Sequence, residues 1–300
     1  MIDTDELDDQ FGIEGEVGFM EMDGDLVFIN VSNKYADADI CLYGAHVTSF
    51  RPVRTMEMLY MSPETSYEVG KPIRGGIPVC FPWFGPHKTD SNLPQHGFGR
   101  LMYWNVLSTA SLPNGETEIK LGLNSSEETK AFWPFDFEAV LNMVIGAKMT
   151  VSLEVKNSST ESFSYTCALH SYFAVSDLAH IQIEGLQGLT YFNQLTGNND
   201  QQNEEILHVN EGLTRHYLDT ESAVVLADEA YRRRIKIEKS GSKVTTVWNP
   251  GEAACAGIGD IPDDGFANFV CIEATNAFNF PITLAAGESF TTTQIFGLEN

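Results

Sequence analysis

The chain contains 300 residues, a length that suits one large β-sheet domain as well as two ordinary ones. Lys and Arg total 18 against 42 Asp and Glu, a formal net charge of −24. That balance excludes nucleic-acid binding driven by overall charge and argues against an anionic membrane as partner. The 43% hydrophobic and 11% aromatic content is enough for a substantial core.

In chain order, the opening Met1-Ile2-Asp3-Thr4-Asp5-Glu6 has neither the basic nor the apolar stretch of a signal peptide. No run approaches the roughly 20 apolar residues of a membrane helix. The expectation is a soluble cytoplasmic protein. Residues 1–15 read as an acidic, poorly ordered tail, and residues 16–300 as one domain without a linker or fixed-period repeat. Residues 18–22 and 26–31 flank Asp23-Gly24 as a hairpin. Residues 104–112 and 118–123 flank Asn114-Gly115 as a second. Residues 148–156 alternate polar and apolar without a break, the mark of a half-buried strand. Residues 235–237 and 244–248, around Ser240-Gly241-Ser242, suggest a third hairpin, and residues 281–284 and 290–296, around Gly287-Glu288, a last one. Long amphipathic helical patterns are scarce. The fold class is therefore all-β, a sandwich or assembly of large antiparallel sheets. Cys41, Cys80, Cys167, Cys255 and Cys271 are odd in number and widely spaced, which argues against a disulfide framework or a structural zinc site. They read as small buried residues in a reducing compartment.

Three segments depart from this scaffold texture. Residues 74–86 set Arg74 among paired glycines, prolines and aromatics that exclude a central strand or helix. Residues 93–100 place Gln95, His96 and Arg100 in a glycine-containing loop. A His and an Arg four apart can converge on an oxygen-rich ligand, and the guanidinium fork suits phosphate, carboxylate or vicinal hydroxyls. Residues 163–173 alternate so that Ser164, Thr166, Ala168 and His170 share one face of a regular strand, opposite an apolar one. Each also has a structural reading: a rigid packed loop, a surface arginine paired with a carboxylate, a strand histidine bonded in place. Glu273 is a carboxylate inside the apolar run 269–276, and burying a charge is costly unless it is paired. It reads as a general base with a raised pKa, or as half of a buried ion pair. Asp219 reads as an ordinary turn aspartate or an acceptor for sugar hydroxyls. Trp248-Asn249-Pro250, with Asp260, Asp263 and Asp264 downstream, reads as a strand entering an acidic loop. No phosphate-binding glycine loop, dinucleotide fingerprint, His-Glu-x-x-His or Gly-x-Ser-x-Gly elbow occurs. His46, His87, His180, His208 and His216 lack metal-ligand spacing, so a site without cofactor or metal is expected.

Taken together and in order, Arg74 through Gly85, Pro94-Gln95-His96-Gly97-Phe98-Gly99-Arg100, His170-Ser171-Tyr172-Phe173, Tyr217-Leu218-Asp219, Val247-Trp248-Asn249-Pro250 and Val270-Cys271-Ile272-Glu273 resemble the aldose 1-epimerase (mutarotase) superfamily. Within it they resemble the glucose-6-phosphate 1-epimerase branch. The resemblance runs from about Phe19 to Phe296. It implies a galactose-mutarotase-like β-supersandwich and an isomerase that interconverts the α and β anomers of a hexose 6-phosphate. By motif position it implies His170 as general acid and Glu273 as general base. It sets Gln95, His96 and Asp219 at the sugar, and Arg74 and Arg100 near the phosphate. Trp83, Phe84 or Tyr172 would face the sugar's C–H side. Gly251 departs from the pattern, where a bulkier, often aromatic residue is expected. Family habit implies a monomer. Two alternatives remain: an aldose 1-epimerase on unphosphorylated sugar, if the arginines serve the scaffold, and a non-catalytic carbohydrate-binding or regulatory protein of the same fold. Ring opening needs one group to take the C1 hydroxyl proton and another to protonate the ring oxygen, so Glu273 ionised, His170 protonated and a bell-shaped pH profile are expected.

Overall fold

The computed structural model describes residues 2–299. Strand alternation sets the architecture. Phe137–Ile145 and Lys148–Asn157 alternate buried and accessible residues along nearly their whole length, as in a sheet with one face on a core and one toward water. They pair antiparallel inside a nine-stranded sheet. An eight-stranded sheet and a four-stranded meander, Val17–Glu21, Val27–Ser32, Ala36–Cys41 and His46–Pro52, complete the main layers. Met143, Val151 and Leu153 of the nine-stranded sheet share one apolar core with Leu169, Val247 and Ile272 of the eight-stranded sheet. Phe296 joins the layers, edge-on to Phe173 at 5.2 Å and to Phe50 at 5.6 Å. The all-β class expected from the sequence is the class that forms.

The strand Phe269–Asn276 is buried along its whole length. Val270, Ile272 and Ala274 enter the main core. Alternation therefore turns Cys271, Glu273 and Thr275 to the opposite face. That strand bonds to Val244–Asn249 on one side and to Cys167–Leu169 and Tyr172–Ala174 on the other.

The first two hairpins are present, as Val17–Glu21 with Val27–Ser32 and Asn105–Ser111 with Thr117–Asn124. The other two are not. Arg233–Ser240 lies in the nine-stranded sheet and Val244–Asn249 in the eight-stranded one, so Ser240-Gly241-Ser242 carries the chain between layers. Ile282–Leu284 pairs with Phe163–Tyr165, while Ser289–Leu298 pairs with Lys148–Asn157 and Arg233–Ser240. Turn chemistry permits a hairpin, but burial against distant partners decides where each strand goes.

The acidic opening also differs from expectation. Thr4–Phe11 is a helix whose first turn is capped by Asp3 Oδ1, accepting from the Asp5 and Glu6 backbone N–H groups. Asp5 and Glu6 suit the positive end of the helix dipole. Leu7 and Phe11, four apart, pack against the core, and Asp8 Oδ1 accepts the Phe19 N–H at 2.9 Å. Capping and one apolar stripe order a segment that charge alone would leave loose. Met1 lies outside the described residues.

Candidate active site

The outer face of the eight-stranded sheet and the loops above it enclose a cleft of about 370 Å³, within the range of small-molecule sites. The pairing of Leu169 with Ala274 and of Tyr172 with Cys271 keeps one register across the gap between two short strands. His170 therefore falls directly opposite Glu273. Their side chains meet with Nε2 3.5 Å from Oε1. The remaining polar atoms, His170 Nδ1 and Glu273 Oε2, are buried and have no hydrogen-bond partner among the described residues. Unsatisfied buried polar atoms are rare in folded proteins, and a catalytic role is one reason for them.

Burial lowers the His170 pKa well below the ordinary imidazole value, and the charges of Arg100 and Arg74 push the same way. Burial raises the Glu273 pKa well above the carboxylate range. These directions favour a neutral imidazole beside a protonated acid, whereas ring opening calls for the ionised pair. The two descriptions hold the same number of protons. One proton passing from Glu273 to His170 converts the first into the second, without exchange with solvent.

The His96 loop is shaped by backbone. His96 and Gly97 both have positive φ, 66° and 75°. A Cβ at Gly97 would stand 2.1 Å from the Phe81 carbonyl oxygen, so only glycine fits. His96 Nδ1 accepts the Gly85 N–H at 3.2 Å, and the His96 N–H donates to Gly85 O at 2.7 Å. His96 Nε2 lies 3.2 Å from the Gln95 amide nitrogen. Burial, then Arg100 and Arg74, hold this ring neutral, with its pKa down to about 3.

Both arginines line the cleft. Arg74 donates from Nε to Asp260 Oδ1 and from Nη1 to Tyr172 Oη, each at 3.1 Å. Arg100 donates from Nη2 to the Gln95 carbonyl at 3.0 Å, and its buried Nε has no partner among the described residues. Tyr172 stacks on His170 at 4.9 Å, and Trp248 stands edge-on to that ring at 5.8 Å.

Arg74, Gln95, His96, Arg100, His170 and Glu273 are thus brought to one cleft. Trp83 and Asp219 are not. Trp83 is packed beneath the loop against Phe98, with Nε1 donating to the Pro94 carbonyl. Phe84, Tyr172, Trp248 and Phe278 supply aromatic surface to the cleft. Asp219 is exposed, at φ 50° just past the strand Leu213–Leu218. Earlier residues of that strand reach the cleft instead: Thr214 and His216, beside Thr246 and Trp248 of the neighbouring strand. Their two-residue spacing was visible, but no local signal tells which strands lie side by side. Gln194 and Phe278 arrive from outside these strands and were also unsuspected. The acidic loop after Pro250 begins as the short helix Gly251–Cys255 and delivers Asp260 to Arg74. The Gly251 departure has a local cause: its φ is 67°, and a Cβ there would stand 2.4 Å from the Gly212 nitrogen. Among the described residues, no group of three or more His, Cys, Asp and Glu side chains is placed to hold a metal ion. No helix among them is long and apolar enough to cross a membrane.

A family model described as aldose 1-epimerase matches residues 28–297. A relative from Escherichia coli (strain K12), named "Putative glucose-6-phosphate 1-epimerase", is 36% identical over 256 residues, covering 84% of each chain. A relative of the same name from Cenchrus ciliaris is 33% identical over 263 residues, 84% of this chain and 78% of that one. The crystal structure of a "putative mutarotase" from Salmonella typhimurium superposes with a TM-score of 0.90 at 30% identity, over 97% of this chain and 96% of that one. A galactose mutarotase-like protein from Clostridium acetobutylicum, 15% identical, shares the fold with a TM-score of 0.76 over 95% and 98% of the two chains.

Proposed function

We propose, from the premise that this chain belongs to the aldose 1-epimerase family and is an epimerase of the isomerase class, that its substrate is a hexose 6-phosphate whose α and β anomers it interconverts. The observation that carries this reading is Arg100. It is a guanidinium at the cleft, with a buried Nε and no carboxylate partner among the described residues, in a chain with 42 acids to 18 bases. A buried cation is costly unless an anion meets it. A substrate phosphate supplies that anion, and Arg74 offers Nη2 beside it. The overall negative charge acts at long range and is screened over about 8 Å at physiological salt, so local arginines govern the cleft.

In the proposed reaction, the C1 hydroxyl donates to Glu273 and the ring oxygen accepts from His170. Both contacts favour the ionised arrangement of the pair, so the bound sugar draws the shared proton onto His170. Glu273 takes the C1 hydroxyl proton, His170 protonates the ring oxygen, and the C1–O5 bond opens to the free aldehyde. Rotation about C1–C2 presents the other carbonyl face. Closure returns both protons with the roles reversed. A phosphate on Arg74 and Arg100 also offsets two of the charges that hold His170 below its ordinary basicity. The five buried free thiols suit a reducing compartment and support a cytoplasmic enzyme.

Arg100→Met tests the substrate class, with anomer exchange measured on glucose and on glucose 6-phosphate. The expected result is a loss of roughly 10–100-fold in kcat/KM on the phosphate ester, the size of one charge-assisted hydrogen bond, with the free sugar nearly unchanged. An equal loss on both sugars would assign Arg100 to the sugar ring or the scaffold and favour an unphosphorylated substrate.

A further inference from the structure

The cleft also holds a buried histidine that the acid–base scheme does not use. His216 is 1% exposed. Its Nδ1 lies 2.9 Å from Thr246 Oγ1 and its Nε2 2.9 Å from Gln194 Oε1. Thr275 Oγ1 donates to Thr246 Oγ1 at 3.1 Å. Thr246 then has its single hydroxyl proton left for Nδ1, so Nδ1 accepts and Nε2–H donates to the Gln194 carbonyl. Burial lowers the His216 pKa to about 4, which preserves this one neutral form at ordinary pH. The ring is stacked against Phe192 and lies 4.4 Å from Phe278, a residue at φ 60°.

This chain ends at the cleft rim. Gln194 is exposed and lines the cleft, and its amide nitrogen has no hydrogen-bond partner among the described residues. An exposed glutamine ordinarily samples several rotamers, and fixing one costs entropy. Here a four-residue relay anchored in the sheet fixes which amide atom is held and leaves two N–H donors for whatever occupies the cleft.

We propose that Gln194 is a specificity residue that donates to one ring hydroxyl of the bound hexose, and that His216 is a positioning residue that keeps its amide the right way round. A site built to bond a hydroxyl discriminates against the analogue lacking it. The inference rests on the epimerase reading but not on the phosphate.

The test measures kcat and KM for hexoses lacking the hydroxyl at C2, C3 or C4, each as free sugar and as 6-phosphate. Wild type should reject one deoxy position by about 3–10-fold in kcat/KM, one neutral hydrogen bond's worth. Gln194→Ala should abolish that discrimination through KM, leaving kcat and the pH profile in place. His216→Phe should weaken it in the same direction, with the thermal midpoint followed as a check on folding. Unaltered discrimination in Gln194→Ala, or a uniform fall in kcat on every sugar, overturns the proposal. Loss of phosphate preference alone would remove only the substrate reading, because the free deoxy sugars still report on Gln194. Absence of turnover on all sugars removes both.

Discussion

Glu273→Gln is expected to slow anomer exchange by roughly 10²–10⁴-fold, the usual contribution of one positioned proton-transfer group. The substitution keeps the shape of a protonated carboxyl and introduces no charge, so the buried strand Phe269–Asn276 should fold as before. What it removes is the proton that the resting acid shares with His170. His170→Asn should cost a similar factor. Because the two groups hand one proton between them, the double variant should be hardly slower than either single one. In wild type the active form holds one proton between the two groups. The depressed His170 pKa and the raised Glu273 pKa spread this form over a wide plateau around neutrality. Its acid limb reports a second proton arriving, and its alkaline limb the loss of the shared one, as macroscopic values of the pair. Exchange measured by NMR at near-wild-type rates in both variants would refute the assignment.

Acidification to pH 5 should destabilise the protein well before its surface carboxylates titrate. His46, His170 and His216 are buried. His46 and His216 have pKa values lowered to about 4, chiefly by burial, and His170 is lowered well below its ordinary value for the same first reason. In the unfolded chain each titrates near 6.5. Between those values the unfolded state binds more protons, so stability falls as pH falls. Glu273 works in the opposite sense. Its folded pKa is raised, so above about 4.5 the folded state is the one holding the extra proton, and its contribution improves as pH falls. With His96, whose pKa is lowered to about 3, four histidines stand against one acid, leaving a net loss of stability from pH 7 to pH 5. Urea midpoints at the two pH values provide the check. A midpoint that stays level or rises on acidification would contradict this accounting.

Much of this molecule is legible where its reasons are local. The alternation of residues 148–156 and the turn at Asn114-Gly115 predicted their strands because those patterns depend on near neighbours. Thr4–Phe11 forms a helix where net charge suggests a loose tail, because two local features outweigh charge: the Asp3 cap and the i,i+4 pair Leu7 and Phe11. Residues 235–248 and 281–296 carried turn chemistry whose flanking strands found partners far along the chain. The site divides in the same way. Arg74, His96 and Arg100 sit in loops whose composition marks them, and Glu273 is conspicuous as a carboxylate among apolar residues. Trp83 shows the limit of composition: it belongs to the marked loop yet faces the core side of it. Gln194, Thr214 and His216 look ordinary until the sheet order sets their strands beside Thr246 and Glu273.

The strand that carries Glu273 is bonded along both flanks and buried at every position, and His170 is held opposite it by the same register. The backbone beneath both groups is therefore fixed by the sheet. In the proposed reaction, the half-rotation that inverts the anomeric centre is then made by the opened sugar, turning between two fixed proton carriers. Such an arrangement treats both anomers alike, so it speeds the approach to equilibrium from either direction while leaving their final ratio to the chemistry of the sugar itself.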